Sequence, residues 1–351
     1  MLSTGGTIAS VMTDRGLAPE DLNLNTERLV KICPALMGFE HDINFISVMN
    51  KDSSNITPQD WLVMADKIKS IVAPVRGDVN AVDRGVKKGQ RGVADAVILL
   101  HGTDTLAYTA SALAYLLNDL NIPVVITGSM LAPDEFNSDA GDNIYDALQF
   151  AMQLAMYKRK GVYAAFGGIL INGVRAHKAD SKHKHAFISI DYPVLGEMKD
   201  KGEYKTAWLG AKVPEFSINR PWADKFNFNN AKIIDLVIFP GMSGEILNKL
   251  AEARPDAIIL ETYGLGGVCG DLLNAVKNCA ANNIKVIVRS QALFGGVDLS
   301  VYEVGRRLID AGAMPALVAT REALIAKLTL LFASGSFNIN NLNLNICDDI
   351  Y

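Results

Sequence analysis

Two threonines follow glycine-rich turns: Thr7 ends Ser3-Thr4-Gly5-Gly6-Thr7, and Thr103 lies in His101-Gly102-Thr103-Asp104-Thr105. A threonine hydroxyl can attack a carbonyl carbon once a base takes its proton. Glycines at the turn let backbone amides approach a ligand. Thr7 has other readings, a phosphate-binding turn or a tight strand–helix connection. Its surroundings match neither the GxGxxG fingerprint nor the Gly-Lys-Ser/Thr ending of a P-loop. Asp104 is a natural partner for a substrate ammonium. Thr103 and Asp104 could equally be an N-cap pair. Lys178, when partly desolvated, can act as a base, or be a solvated surface lysine. Asp52-Ser53-Ser54 could bind a carboxylate through hydroxyls and amides, or make only an Asx-type turn. His177, His183 and His185 are interleaved with Lys182 and Lys184 and read as a solvated basic loop, so no metal is expected there.

The elements around these residues alternate. The apolar run Ala96-Val97-Ile98-Leu99-Leu100 empties into the Thr103 turn, and a helical pattern follows through Leu106, Ala110, Leu113 and Leu117. The carboxyl ends of strands in open parallel sheets are where ligands bind. Residues 13–19 read as a loop, because Gly16 and Pro19 argue against regular structure. Thr57-Pro58-Gln59-Asp60 opens a helix with a cap, a proline at the first position and an acid three residues after the cap. Residues 74–92 lack a hydrophobic period and read as a surface insertion. Strands are expected at 123–126 and 162–171, with a helix at 143–158 between them. This series predicts a parallel sheet with right-handed crossovers. A second strand–helix series begins near residue 231.

The expected fold is therefore α/β, a larger N-terminal parallel-sheet domain (1–191), a linker with a small hairpin (192–230) and a smaller C-terminal α/β domain (231–351). Residues 334–351, rich in Asn, are expected to be ragged. A net charge of −4 offers no basic field for nucleic acid, so none is expected as a partner. No apolar run approaches the ~18 to 20 residues of a membrane span. Met1-Leu2-Ser3 carries neither a basic start nor an apolar signal core. The four cysteines are scattered, which favours a reducing cytoplasm.

Taken together, the motifs resemble the bacterial-type L-asparaginases, and within them the cytoplasmic type I branch with its archaeal relatives. The matching stretches are Ser3-Thr4-Gly5-Gly6-Thr7-Ile8-Ala9, Leu99 to Tyr108 through His101-Gly102-Thr103-Asp104-Thr105, and Asp52-Ser53-Ser54-Asn55 with Pro58-Gln59-Asp60-Trp61. Thr127-Gly128-Ser129-Met130, Asn137-Ser138-Asp139 and Gly173-Val174-Arg175-Ala176-His177-Lys178 also fit. So do Phe239-Pro240-Gly241, Glu261-Thr262-Tyr263-Gly264 and Gly295-Gly296-Val297-Asp298.

This resemblance implies hydrolysis of an amino-acid amide, with no metal and no cofactor. It implies Thr7 as nucleophile, and Thr103, Asp104 and Lys178 as a second catalytic group with Lys178 as base. Asp52 and Asp104 would hold the substrate ammonium, Ser53 and Ser54 its carboxylate, and backbone amides of the Thr103 turn the oxyanion. It also implies a homodimer or homotetramer. Many family members carry a loop tyrosine where this chain has Leu17; Ala292 follows Gln291 where some type I enzymes have cysteine; Val318-Ala319 replaces a common Asp-Met pair. An amidotransferase subunit sharing the motifs is the nearest alternative, although it normally has an extra N-terminal domain with no counterpart in this sequence. A catalytically weak amino-acid-binding homologue is another.

Overall fold

In the computed structural model, residues 1–6, 8, 10–13, 16–19, 26–38, 43–72, 94–201, 204–209, 220–222 and 225–350 are described. The predicted insertion at 74–92 lies outside them, as does Thr7. The chain divides into unit 1, Met1–Ser189 with Pro193–Ser217, and unit 2, Ile190–Tyr192 with Ile218–Tyr351.

Unit 1 opens with β1 (Leu2–Ser3), β2 (Ser10–Thr13) and β3 (Gly16–Pro19). α1 (Thr26–Ile32), β4 (Ile46–Ser47), α2 (Pro58–Val72), β5 (Val97–Leu100) and α3 (Leu106–Leu116) follow. Next come β6 (Pro123–Thr127), α4 (Ala140–Met156), β7 (Gly161–Phe166) and β8 (Ile169–Asn172). β9 (Ala176–Lys178), β10 (Phe187–Ser189), β11 (Gly196–Lys201) and β12 (Tyr204–Leu209) complete it.

Among the described residues, one eight-stranded sheet runs β12-β11-β8-β7-β6-β5-β1-β4. The stretch from β4 through β7 is parallel, and β8, β11 and β12 are antiparallel additions. The central strands are fully buried apolar runs, as a sheet covered on both faces requires. α3 is apolar around nearly its whole circumference, so it lies in the interior rather than at the surface.

Several expectations need correction. The strand expected over 162–171 is two antiparallel strands, because Gly167 and Gly168, both at positive φ, reverse the chain between β7 and β8. The loop expected at 13–19 forms much of the β2–β3 hairpin, with Met12 opposite Leu17; Pro19 sits at its end, where no central ladder bond is interrupted. The β11–β12 hairpin, expected as part of a linker, extends the large sheet by pairing with β8.

Unit 2 contains β13 (Ile233–Val237), α5 (Gly244–Glu252), β14 (Ala257–Thr262), α6 (Gly270–Ala281) and β15 (Lys285–Ser290). α7 (Glu303–Asp310), β16 (Ala313–Pro315), α8 (Arg321–Ala333) and α9 (Ile339–Leu342) follow. Its parallel sheet runs β13-β14-β15-β16. Alternation along the strands feeds two cores: Ile258, Leu260, Val286 and Val288 join one, Ile259 and Ile287 the other.

Residues 334–350 are not ragged. Lys327 of α8 is buried, and the tail supplies its partners: Nζ donates to Leu344 O at 2.6 Å and lies 2.8 Å from Asp349 Oδ2. A buried ammonium demands such pairing, and Leu342 and Ile346 of the same tail are buried. Among the described residues no helix is long and apolar enough to cross a membrane.

Candidate active site

The site grows from strand ends in unit 1. β1 lies between β4 and β5, so the Gly5-Gly6 turn and the Gly102-Thr103 turn leave adjacent parallel strands side by side. They touch backbone to backbone: a Cβ on Gly6, which also holds φ +82°, would collide with the Gly102 backbone. A Cβ on Gly102 would in turn lie 2.6 Å from Ser53 Oγ. Glycine at both positions is what lets the three turns converge.

Ser53 belongs to a short 3-10 turn that Asp52 caps. Asp52 Oδ1 accepts from Ser54 N and from Ser54 Oγ, each at 2.8 Å. Asp52-Ser53-Ser54 is thus an Asx-type turn, and it is also brought against the Thr103 turn, where Thr105 Oγ1 donates to Ser53 O at 2.7 Å. Asp60, three residues after the predicted cap, accepts from Thr57 N and Oγ1 at 2.8 Å and pairs with Lys51 at 2.7 Å. Burial pushes Asp60 up, but Lys51 and the Thr57 donors outweigh it and hold its carboxyl below the usual range. Lys51 N donates to Thr4 O, which ties this turn to the end of β1.

Thr103 and Asp104 occupy a 3-10 turn between β5 and α3, and neither caps a helix there by side-chain hydrogen bonding. Both instead meet Lys178, which ends β9. Its Nζ donates to Thr103 Oγ1 at 2.8 Å and to Asp104 Oδ1 at 2.7 Å. Thr103 is buried, whereas the Asp104 side chain is 64% exposed and that of Lys178 20% exposed. The group therefore joins a sheltered hydroxyl, an amine and an accessible carboxylate. β9 pairs with β10, Lys178 opposite Phe187, and Phe187 packs on Phe166 with ring centroids 4.7 Å apart. That packing anchors the strand carrying the amine.

The structure thus brings Thr103, Asp104 and Lys178 into contact and sets Ser53 against their turn, with Asp52 and Ser54 beside it. Sequence reasoning assigns no role to His101, which is fully buried beneath the turn. Its Nδ1 is 2.7 Å from Gly102 O and its Nε2 is 3.0 Å from Thr109 Oγ1. The carbonyl only accepts, so Nδ1 carries the proton and Nε2 accepts from Thr109. Burial lowers its pKa to about 4, so the ring is neutral near pH 7. A histidine followed eight residues later by a helical threonine was the available signal, and it is a faint one. Among the predicted histidine loop, His183 pairs with Asp180 and His185 with Gly167 O, and the described residues contain no metal-binding cluster.

Fold and site together define a two-unit α/β protein with a hydroxyl, amine and carboxylate gathered at the mouth of a parallel sheet. Residues 1–209 match the family model "Asparaginase, N-terminal", and residues 232–342 match "Glutaminase/Asparaginase C-terminal domain". The chain belongs to the asparaginase family. It is 36% identical over 330 residues to an L-asparaginase of Thermococcus kodakarensis, covering 93% of this chain and 90% of that protein. It is 28% identical over 320 residues to the D component of the glutamyl-tRNA(Gln) amidotransferase of Methanosphaera stadtmanae, covering 88% of this chain and 66% of that component. Among solved structures, the thermostable L-asparaginase of Thermococcus kodakarensis superposes with a TM-score of 0.80 at 34% identity, covering 100% of this chain and 98% of that one. L-asparaginase I of Vibrio cholerae superposes with a TM-score of 0.73 at 26% identity, covering 100% and 98%.

Proposed function

We propose that this chain is an L-asparaginase that hydrolyses L-asparagine to L-aspartate and ammonia through a threonine nucleophile and an acyl-enzyme. The observation that carries this reading is Lys178 Nζ, 2.8 Å from Thr103 Oγ1 and 2.7 Å from Asp104 Oδ1. With the amine neutral, the same contact lets Thr103 donate its proton to Lys178, the arrangement general-base catalysis requires. Thr7 is the nucleophile on the side-chain amide carbon, and Thr103 with Lys178 delivers and receives protons. As the C–N bond breaks, nitrogen takes a proton and leaves as ammonia; water then cleaves the threonine ester and restores the hydroxyl. Asp104 and Asp52 hold the substrate ammonium, and Ser53 with Ser54 its carboxylate. Backbone amides of the Thr103 turn face the oxyanion, each donor worth roughly 3 kcal/mol of barrier. This chemistry draws on no metal or cofactor.

The relatives named L-asparaginase support this substrate, and the amidotransferase component, at 28% rather than 36% identity, supports the second reading less strongly. The protein works as a homodimer or homotetramer in the cytoplasm, where its four cysteines stay reduced as thiols. Ammonia and aspartate release from L-asparagine, set against L-glutamine, tests the reading. Release from asparagine is expected; release from neither amide, with aspartate still bound, leaves only the amino-acid-binding homologue.

A further inference from the structure

The motif Asn137-Ser138-Asp139 has no part in the chemistry above, yet it leads into a polar knot that spans the site's two halves. Asp139 is buried at the start of α4, and its carboxylate accepts from Met130 N at 3.0 Å and Leu131 N at 3.0 Å. One turn later, Asn143 is also buried. Its Nδ2 donates to Asp139 Oδ2 at 2.9 Å and to Gly128 O at 3.0 Å, and its Oδ1 accepts from Gly167 N at 3.0 Å. The amide orientation is unambiguous, because two acceptors face one end and an N–H faces the other.

Each arm reaches a different side of the Thr103–Lys178 contact. Gly128 packs against the turn: a Cβ there would collide with His101 O and lie 3.6 Å from Thr103 Cγ2. Gly167 O meets His185 Nδ1 at 2.9 Å, and His185 sits in the β9–β10 hairpin whose first strand ends in Lys178. One amide therefore fixes the loop behind the hydroxyl and the turn that docks the strand bearing the amine.

We infer that Asn143 is a positioning residue that sets the separation of Lys178 Nζ and Thr103 Oγ1, through Gly128 on one side and through Gly167 and His185 on the other. The inference rests on the catalytic role proposed for that pair, but its geometry can be tested apart from activity. Asn143→Asp keeps the shape and the acceptor for Gly167 while turning an oxygen toward Gly128 O and Asp139. His185→Ala removes the outer link at an exposed residue, and His185→Asn restores a donor near the Nδ1 position.

Crystal structures of the variants should show Lys178 Nζ beyond hydrogen-bond distance of Thr103 Oγ1 in Asn143→Asp. With L-asparagine, kcat should fall at least about tenfold in Asn143→Asp and about threefold in His185→Ala, with KM within about twofold, magnitudes in line with imperfect alignment of a catalytic group. His185→Asn should recover most of the loss. An unchanged Lys178–Thr103 distance in Asn143→Asp overturns the inference even if the wild type hydrolyses no amide. So does a wild-type kcat in both Asn143→Asp and His185→Ala. If Asn143→Asp does not fold, His185→Ala against His185→Asn decides: equal kcat values and equal contact distances in that pair refute it.

Discussion

At the mouth of the first sheet, Asp104 and Lys178 meet at 2.7 Å across a turn, and the Asp104 side chain is 64% exposed. At the carboxyl ends of β14 and β15, Glu261 and Arg289 meet at 2.6 Å with side chains 2% and 9% exposed. Arg321, the first residue of α8, adds a fork: its Nε donates to Glu261 Oε1 at 2.8 Å and its Nη2 to Oε2 at 2.6 Å. Asp235 of β13 lies 3.2 Å from the same arginine. Burial pushes Glu261 up, but the hydrogen bonds from Arg321 and the charge of Arg289 outweigh it, so its carboxyl stays below the usual range. Both regions lie where parallel strands end, the place ligands favour. The second spends its charges on one another and closes the Glu261–Arg289 pair off from solvent. The first leaves a carboxylate and an amine within reach of solvent beside a sheltered hydroxyl. Substitutions should therefore cost turnover at the open end and stability at the sealed end.

The largest effect is expected at the open end. Thr103→Val and Lys178→Met should each lower kcat for L-asparagine by about 10²- to 10⁴-fold, with thermal melting unchanged; steady-state kinetics on folded protein checks both. At the sealed end, Glu261→Ala strands a buried guanidinium, so denaturant unfolding should report a loss of about 3–5 kcal/mol. A stability within about 1 kcal/mol of wild type would mean that Arg289 finds water or another partner, and that the end is less closed than its exposure indicates.

A third effect belongs to the floor of the open end. Burial lowers the pKa of His101 from 6.5 in the unfolded chain to about 4 in the fold. Above pH 6.5 it is neutral in both states. As pH falls from 6.5 toward 4, only the unfolded chain takes up the proton, so stability drops, by about 3 kcal/mol from this one group, and levels off below. The unfolding free energy of the wild type against His101→Asn across that range measures it; the variant should lose this part of the slope. The smallest effect is on binding: Asp104→Asn should raise KM for asparagine by roughly tenfold or somewhat more, as a charge-assisted hydrogen bond worth about 1.5–3 kcal/mol weakens.

Much of the first sheet was legible because its cues are local. The apolar run into Thr103 and the Thr57 cap are read within a few residues, and Asp60 does accept from Thr57. Asp52-Ser53-Ser54 was equally readable as an Asx-type turn. The pieces that escaped depend on contacts remote in sequence. β9 and β10 are three residues each, too short for a period, so the register that aims Lys178 leaves no pattern. Gly167-Gly168 is the exception: a Gly-Gly pair between two apolar runs is a local hairpin cue, and a single strand over 162–171 overlooks it. Asn143 lies among apolar helix positions, and only the folded chain shows that its amide is buried. The tail escaped likewise, because Lys327 and Asp349 are remote in sequence and no local propensity marks their pairing.

The claim that Thr103 and Lys178 act as one proton-transferring group is tested most directly by kcat for L-asparagine in the double mutant Thr103→Val/Lys178→Met, measured beside both single mutants. Groups that act as a unit are strongly non-additive. A double mutant no slower than the worse single mutant is the expected result; losses that multiply would contradict it.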